Sequence, residues 1–426
     1  LFDRLSLLVS SWSDRMIWIG FTRMLRAKLA CILVGGLLWT CQAVAEGQEI
    51  SLNTQSVEIQ EEQVESSGGF WYVSKAEPKT YYYRDAGRWL DLFSYHCKDS
   101  NKDGIPNLQI SHDQNHLIIK SQGFPNHPTA IFPNSDNPNT ISVQDFTFRL
   151  PLVPRKSETI TRLPMGPVGM SLNGVVFFNP FEMEGRNAVA GYDEVWLDSC
   201  CGHPQQTGVY HYHKYPTCVK SPFVDDGKSH SPIIGFAFDG YPLYGPYESE
   251  NRMAMELDGE QSLDACNGHS DSLRGYHYHV TPNRFPYILG GYAGEVEPTN
   301  NREFRRNSGR MRTGPIEDNT QPGDKYGKII TSVRPGNLVQ GKSHEIHIDF
   351  DPTQARRPIP EGAPTWLQIG PYEADSIQRT GNTVTAKITI PKDATVGVCL
   401  DCHMEFGSDR RPLVIKRNDA ARVSAE

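Results

Sequence analysis

The sequence has no surplus of basic charge. Its 42 Lys+Arg stand against 50 Asp+Glu, and the balance turns more acidic once residues 1–45, with five basic and two acidic residues, are set aside. A nucleic acid is therefore not the expected partner. The chain also lacks a G-x-S-x-G nucleophile elbow, a G-x-x-x-x-G-K-[ST] phosphate loop and an H-E-x-x-H helix, so serine-hydrolase, P-loop and zincin chemistries have no support in it. It is poor in the Ala- and Leu-rich stretches of helical proteins, and instead carries 37 Gly, 30 Pro, 18 Tyr and 18 Phe. That composition excludes a helical bundle and predicts a mainly β protein of strands and turns.

A long apolar run is missing as well. The stretch Leu29–Trp39 is about half of the roughly 20 residues a spanning helix needs. With Arg26 and Lys28 before it and Ala43-Val44-Ala45 after it, the segment has the charged, apolar and small-residue parts of a signal peptide. The reading is residues 1–23 as an upstream extension, 24–45 as a signal peptide cleaved before Glu46, and no transmembrane segment in the mature chain. The protein is then exported, to the periplasm, the cell surface or the medium. Export makes disulfides the default state of Cys97, Cys200, Cys201, Cys218 and Cys266. A vicinal Cys200–Cys201 bridge is strained, so each is expected to reach a different partner.

Composition marks the domains. Residues 46–69, rich in Gln, Glu and Ser, read as a disordered leader; 70–294 as an aromatic, Gly- and Pro-rich domain of strands and long loops; 295–327 as a solvated linker. Period-two alternation in His344–Phe350 and Val384–Ile390 predicts a small β-sandwich over 328–417, with a tail at 418–426.

The most specific feature is an internal duplication. Gly202-His203, six residues, then Tyr210-His211-Tyr212-His213 is matched by Gly268-His269, six residues, then Tyr276-His277-Tyr278-His279. On a strand, His211 and His213 share one face and Tyr210 and Tyr212 the other, and the same holds for His277 and His279. Neutral imidazoles in such a set predict a transition-metal site, copper or zinc, with His203 and His269 as further ligands or as their hydrogen-bonding support. Because one His-x-His pair supplies only two nitrogens, the two copies are expected to converge on one composite site. The competing reading makes the histidines buried hydrogen-bonding residues of a β-domain.

These units, together with Leu163-Pro164-Met165-Gly166-Pro167, Leu172-Asn173-Gly174-Val175, Phe178-Asn179-Pro180 and Gly235-Phe236-Ala237-Phe238-Asp239-Gly240-Tyr241-Pro242, resemble the YHYH domain family of exported proteins from about Cys97 to Gly294. The resemblance implies a domain type and no established activity, so whether the protein is an enzyme stays open. The C-terminal segment is similar to bacterial immunoglobulin-like modules, which implies a cell-surface or extracellular partner.

Other residues offer further chemistry. Asp239 is a candidate general base or imidazole-orienting carboxylate, against a plainer role as a turn residue; Glu194, Asp198 and Asp264 are alternatives near the Cys-Gly-His units. Asp99, Asn101 and Asp103 have the spacing of a calcium loop but lack its closing Glu. Cys399, Cys402 and His403 form a C-x-x-C-H haem-attachment pattern inside a predicted strand. Two alternatives to metal capture follow: a non-catalytic extracellular adhesion module, and a c-type haem electron-transfer protein.

Overall fold

Strand alternation governs the architecture of the described residues. A computed structural model describes residues 57–425 apart from 183–184, 220–224, 226, 250, 283, 308–310, 324, 326–327 and 408–410. The expected signal peptide and upstream extension lie outside these residues. The leader reading is corrected from Val57 onward: Val64–Gly68 pairs antiparallel with Trp71–Ser74 and opens a four-stranded meander with Tyr81–Asp85 and Arg88–Asp91. Trp71, buried, packs against Tyr83, Phe93 and Phe236, which ties this meander to the domain core.

At the centre is an eight-stranded sheet. Its strands are β1 (Pro167–Ser171), β2 (Val176–Phe178), β3 (Gly202–Pro204), β4 (Tyr210–Tyr212), β5 (Ile233–Ala237), β6 (Pro242–Tyr244), β7 (Gly268–Asp271) and β8 (Gly275–His279). They lie in the order β3-β4-β2-β1-β5-β6-β8-β7. Each half is one copy of the duplication, with an antiparallel hairpin at the outer edge and a parallel pairing (β2 with β4, β6 with β8) inside it. The halves meet antiparallel at β1 and β5, where Met170 pairs with Phe236 and Gly169 and Ser171 pair with Ala237 and Gly235. Met170 and Phe236 occupy equivalent positions in the two copies, so a pseudo-twofold axis passes through this pair. The strands approach closely there: a Cβ on Gly235 would lie 2.2 Å from the Met170 carbonyl oxygen.

The stretch read as a solvated linker packs instead onto this domain. Phe304, on the helix Arg302–Asn307, and Ile316 are buried, Phe304 against Tyr292, while Thr313 bridges to Thr161. Two apolar anchors among polar residues suffice to hold the segment down.

The C-terminal β structure has its own core, built on Ile346, Ile348, Val384, Ile388, Leu367 and Met404. Its eight strands form a nearly closed sheet, in which Arg417 of one strand donates to the Ile330 carbonyl of another at 3.1 Å. The last strand, Leu413–Ser424, runs through the expected tail. Buried polar contacts join it to the preceding domain: Lys214 to Asp401 at 3.0 Å, Lys416 to Glu194 at 3.3 Å, and His403 Nε2 to the Leu197 carbonyl at 3.0 Å. Among the described residues, no helix is long and apolar enough to cross a membrane.

Candidate metal centres

The hairpin β3–β4 sets His203 directly across from His211, which puts both rings on one face, and His213 follows two residues on. His203 Nε2 and His213 Nε2 each lie 3.1 Å from His211 Nε2. Glu182, from the segment after β2, brings Oε1 to 3.4 Å from the Nε2 atoms of His203 and His213. The tyrosines take the opposite face, as the alternation requires. Tyr210 donates to Asp198 Oδ2 at 2.8 Å, and the Tyr212 hydroxyl accepts from Asn173 at 3.0 Å.

The second hairpin repeats the arrangement. His269 pairs with His277 across β7–β8, with Nε2 atoms 3.1 Å apart, and Glu248 Oε2 lies 3.2 Å from the Nε2 atoms of both His269 and His279. His230 is added here, its Nε2 3.3 Å from His277 Nε2 and 3.4 Å from Glu248 Oε2. Tyr276 donates to Asp264 at 2.9 Å and Tyr278 to Asp239 at 2.6 Å.

The outer nitrogens fix which tautomer is present. Nδ1 faces a backbone carbonyl in His211 (Val209, 3.1 Å), His213 (Asn179, 2.7 Å), His230 (Ser231, 2.9 Å), His269 (Gln261, 2.9 Å), His277 (Gly275, 2.9 Å) and His279 (Gly245, 2.6 Å). A carbonyl only accepts, so Nδ1 carries the proton and Nε2 presents a lone pair to the cluster. Lone pairs 3.1 Å apart repel unless a cation lies between them. The donor spacing also fits one: the edge of a tetrahedral shell with 2.0–2.1 Å metal–nitrogen bonds is roughly 3.3 Å.

Electrostatics favour the neutral form of five of these imidazoles, His203, His211, His230, His277 and His279. Burial first, then the neighbouring rings, hold His211 well below its ordinary range, and burial with His279 holds His277 at about 3. Burial likewise lowers His203, His279 and His230, the last to about 2. His269 departs upward, because its contact with Glu248 and the Gln261 carbonyl outweigh its burial. Burial would raise Glu182 and Glu248, yet their histidine contacts hold both well below the usual carboxylate range. Glu248 Oε2 and His279 Nε2 are buried with no hydrogen-bond partner among the described residues. Both groups could hold a metal ion: the four donor atoms of Glu182, His203, His211 and His213 lie within 4.8 Å of one another, as do those of His230, Glu248, His277 and His279.

The expected composite site is corrected. The two hairpins stand at opposite edges of the sheet with four strands between β4 and β8, roughly 24 Å at the usual strand spacing. Each copy completes its own shell because a carboxylate, absent from the motif, supplies the missing donor. Glu182, Glu248 and His230 were not legible as site residues. The signal for the two glutamates was the full extent of the repeat: Val168–Glu182 aligns with Ile234–Glu248 at the same 66-residue offset that relates His203 to His269, and both stretches end in Pro, an aromatic residue and Glu, whereas His230 falls opposite Pro164 and had no such signal.

The remaining candidates lie elsewhere. Asp239 is buried beneath Tyr278, on the face of β8 away from the imidazoles, and accepts from the amides of Gly294 (3.0 Å) and Tyr241 (3.3 Å). Asp198 and Asp264 hold the amides of Cys200 and Gly202, and of Cys266 and Gly268, while Glu194 pairs with Lys416 and Asn418. In the calcium-like loop, Asp99 accepts from the amides of Asp103 and Gly104, and Asp103 from Ile105, Asn101 and Gln122, so the carboxylates close the turn themselves. The C-x-x-C-H segment lies in the strand Cys399–Phe406, where Cys402 enters the domain core and His403 faces Trp196. A strand does not gather these three side chains around one macrocycle, so the haem alternative loses its geometric basis. The cysteines form one bridge among the described residues, Cys200–Cys218, while Cys97, Cys201, Cys266, Cys399 and Cys402 are free. Cys218 thus bridges Cys200, which reaches a partner other than Cys201 as expected, whereas the bridges expected of Cys97, Cys201 and Cys266 do not form. That bridge also removes the thiols of a third cluster, with His127, as ligands.

No curated protein matches the chain. The family model described as YHYH protein matches residues 147–258, which take in β1 to β6, all four donors of the first centre, and His230 and Glu248 of the second. The chain thus carries a YHYH domain, matched over residues 147–258.

Proposed function

We propose that the protein binds two transition-metal ions, one at each edge of the central sheet, and that it does so outside the cytoplasm. The observation that carries this reading is the convergence of Nε2 lone pairs in six of the seven histidines, whose Nδ1 atoms are turned outward to carbonyls, while His203 Nδ1 meets the side-chain amide of Asn137 at 3.4 Å. Three imidazoles and a carboxylate suit zinc or copper. His203, His211, His213 and Glu182 would hold the first ion, and His269, His277, His279 and Glu248, joined by His230, the second. A bound ion would supply Lewis acidity or, if copper, one-electron chemistry. The side chains themselves hold the donors in place through their outer hydrogen bonds and bring the outer hairpin of each half against the segment that follows β2 or β6. The reading is metal binding and retention. Export is supported by the leader at 24–45 and by the Cys200–Cys218 bridge.

Elemental analysis of protein purified from its natural compartment without a histidine tag tests the reading. Two ions of copper or zinc per chain are expected. A chain that holds none and takes up no copper, zinc, nickel or iron on dialysis would return the histidines to hydrogen-bonding residues of a β-domain.

A further inference from the structure

The two centres are copies, yet their donor sets differ by one residue. At the offset that relates every other donor, His230 corresponds to Pro164, which has no nitrogen to offer and whose carbonyl accepts from Asn179. His230 is built into the second centre as firmly as the repeated histidines. Its side chain is 8% exposed, its Nδ1 is committed to Ser231 at 2.9 Å, and its ring meets Tyr244 edge-on at 4.6 Å. Its Nε2 therefore presents a lone pair, as does His277 Nε2 3.3 Å away, so the contact between them is not a hydrogen bond. His269 approaches the same two atoms, His277 Nε2 at 3.1 Å and Glu248 Oε2 at 3.2 Å, from the margin of the cluster, since the four donors that lie within 4.8 Å of one another are those of His230, Glu248, His277 and His279.

Resting on the metal-binding reading above, we propose that the centres are chemically distinct: the first is a four-donor N3O site and the second a five-donor N4O site with His230 as the added ligand. A four-donor set matches the tetrahedral preference of zinc, whereas a nitrogen-rich five-donor set favours copper(II), whose affinity for imidazole exceeds that of zinc. One chain would then hold a zinc-type and a copper-type ion at its two edges.

Cobalt(II) is a direct probe, because its visible absorption is strong in a tetrahedral shell and weaker and shifted in a five-donor one. His211→Ala/His213→Ala, which leaves the first centre two donors, is used to view the second centre, and His277→Ala/His279→Ala to view the first. The inference expects a strong tetrahedral spectrum from the first centre and a weak, shifted one from the second. His230→Ala in the His211→Ala/His213→Ala background should convert the second spectrum to the tetrahedral type. It should also weaken copper(II) binding by at least the roughly 10- to 100-fold that loss of an outer-shell partner costs a metal site. Identical spectra at the two centres, or a His230→Ala spectrum and copper affinity unchanged from the parent, would overturn the distinction while leaving metal binding intact. No cobalt uptake by the parent protein at either centre would sink both readings.

Discussion

The two halves of the central sheet keep the same inner construction and differ in what surrounds it. In both, a hairpin presents three imidazoles on one face and two tyrosines on the other, an aspartate holds the turn before the hairpin, and a glutamate closes the cluster. Outside that shell they diverge. The first half carries the Cys200–Cys218 bridge and abuts the C-terminal domain through Lys214, Leu197 and Ser199; in the second, the counterpart Cys266 is free, and Arg274 packs between Asp85 and Asp271. The constraint in both copies is thus on the atoms that touch or orient the cluster, as expected where donors are fixed by the hydrogen bonds behind them.

The largest effect that tests the equivalence of the halves is on metal content. His211→Ala should remove one ion and leave the second centre loaded, His277→Ala should do the reverse, and the double variant should hold neither. Sites so far apart with no shared ligand should respond additively. Elemental analysis of the three proteins decides: loss of both ions in either single variant would restore the composite site.

Much of this was legible and some was not, for identifiable reasons. Period two in Tyr-His-Tyr-His is a local signal that reveals the strand, the facing of the rings and two of the donors in each centre, and the repeated Gly-His eight residues earlier adds His203 and His269. Glu182 and Glu248 are single acidic residues near loops, a pattern shared by ordinary solvated carboxylates, and only the long-range register of the repeat distinguishes them. The separation of the centres depends on strand order. The parallel insertion of β2 beside β4 and β6 beside β8 pushes each hairpin outward, and nothing local to the motif encodes it. Phe304 and Ile316 were hidden in the same way, as two apolar residues inside a charged stretch whose composition alone reads as linker.

A second difference between the halves is the disulfide. Cys200 and Cys218 are 18 residues apart, and closing a loop of that size is worth about 3 kcal/mol through the unfolded state. Cys218→Ser should therefore lower stability by that order in denaturant titration under oxidising conditions. Cys266→Ala, which loses only a buried sulfur, should cost about 1 kcal/mol. Thiol titration of the denatured, unreduced chain should find Cys97, Cys201, Cys266, Cys399 and Cys402 reactive. Equal losses from the two substitutions would show that the bridge does not distinguish the halves.

The smallest expected effect lies under the tyrosines, where the first copy places Asn173 beneath Tyr212 and the second places Asp239 beneath Tyr278. Burial raises Asp239 to about 6, against the pull of the Tyr278 hydroxyl and the Gly294 and Tyr241 amides. Its ordinary value in an unfolded chain is about 3.9. A carboxyl whose folded value is raised binds its proton more tightly in the native state, so its contribution is fully present below about pH 4 and is lost as pH rises from there through 6. The loss amounts to roughly 3 kcal/mol at neutral pH. Asp239→Asn reproduces the residue of the first copy, cannot ionise, and keeps an oxygen to accept from the tyrosine and the amide. Its stability advantage over the parent should therefore be small at pH 4, grow between pH 4 and 6, and level off above that. Denaturant titrations of both proteins across this range measure the difference directly, and a constant offset between them would mean that Asp239 binds its proton no more tightly in the fold than in the unfolded chain.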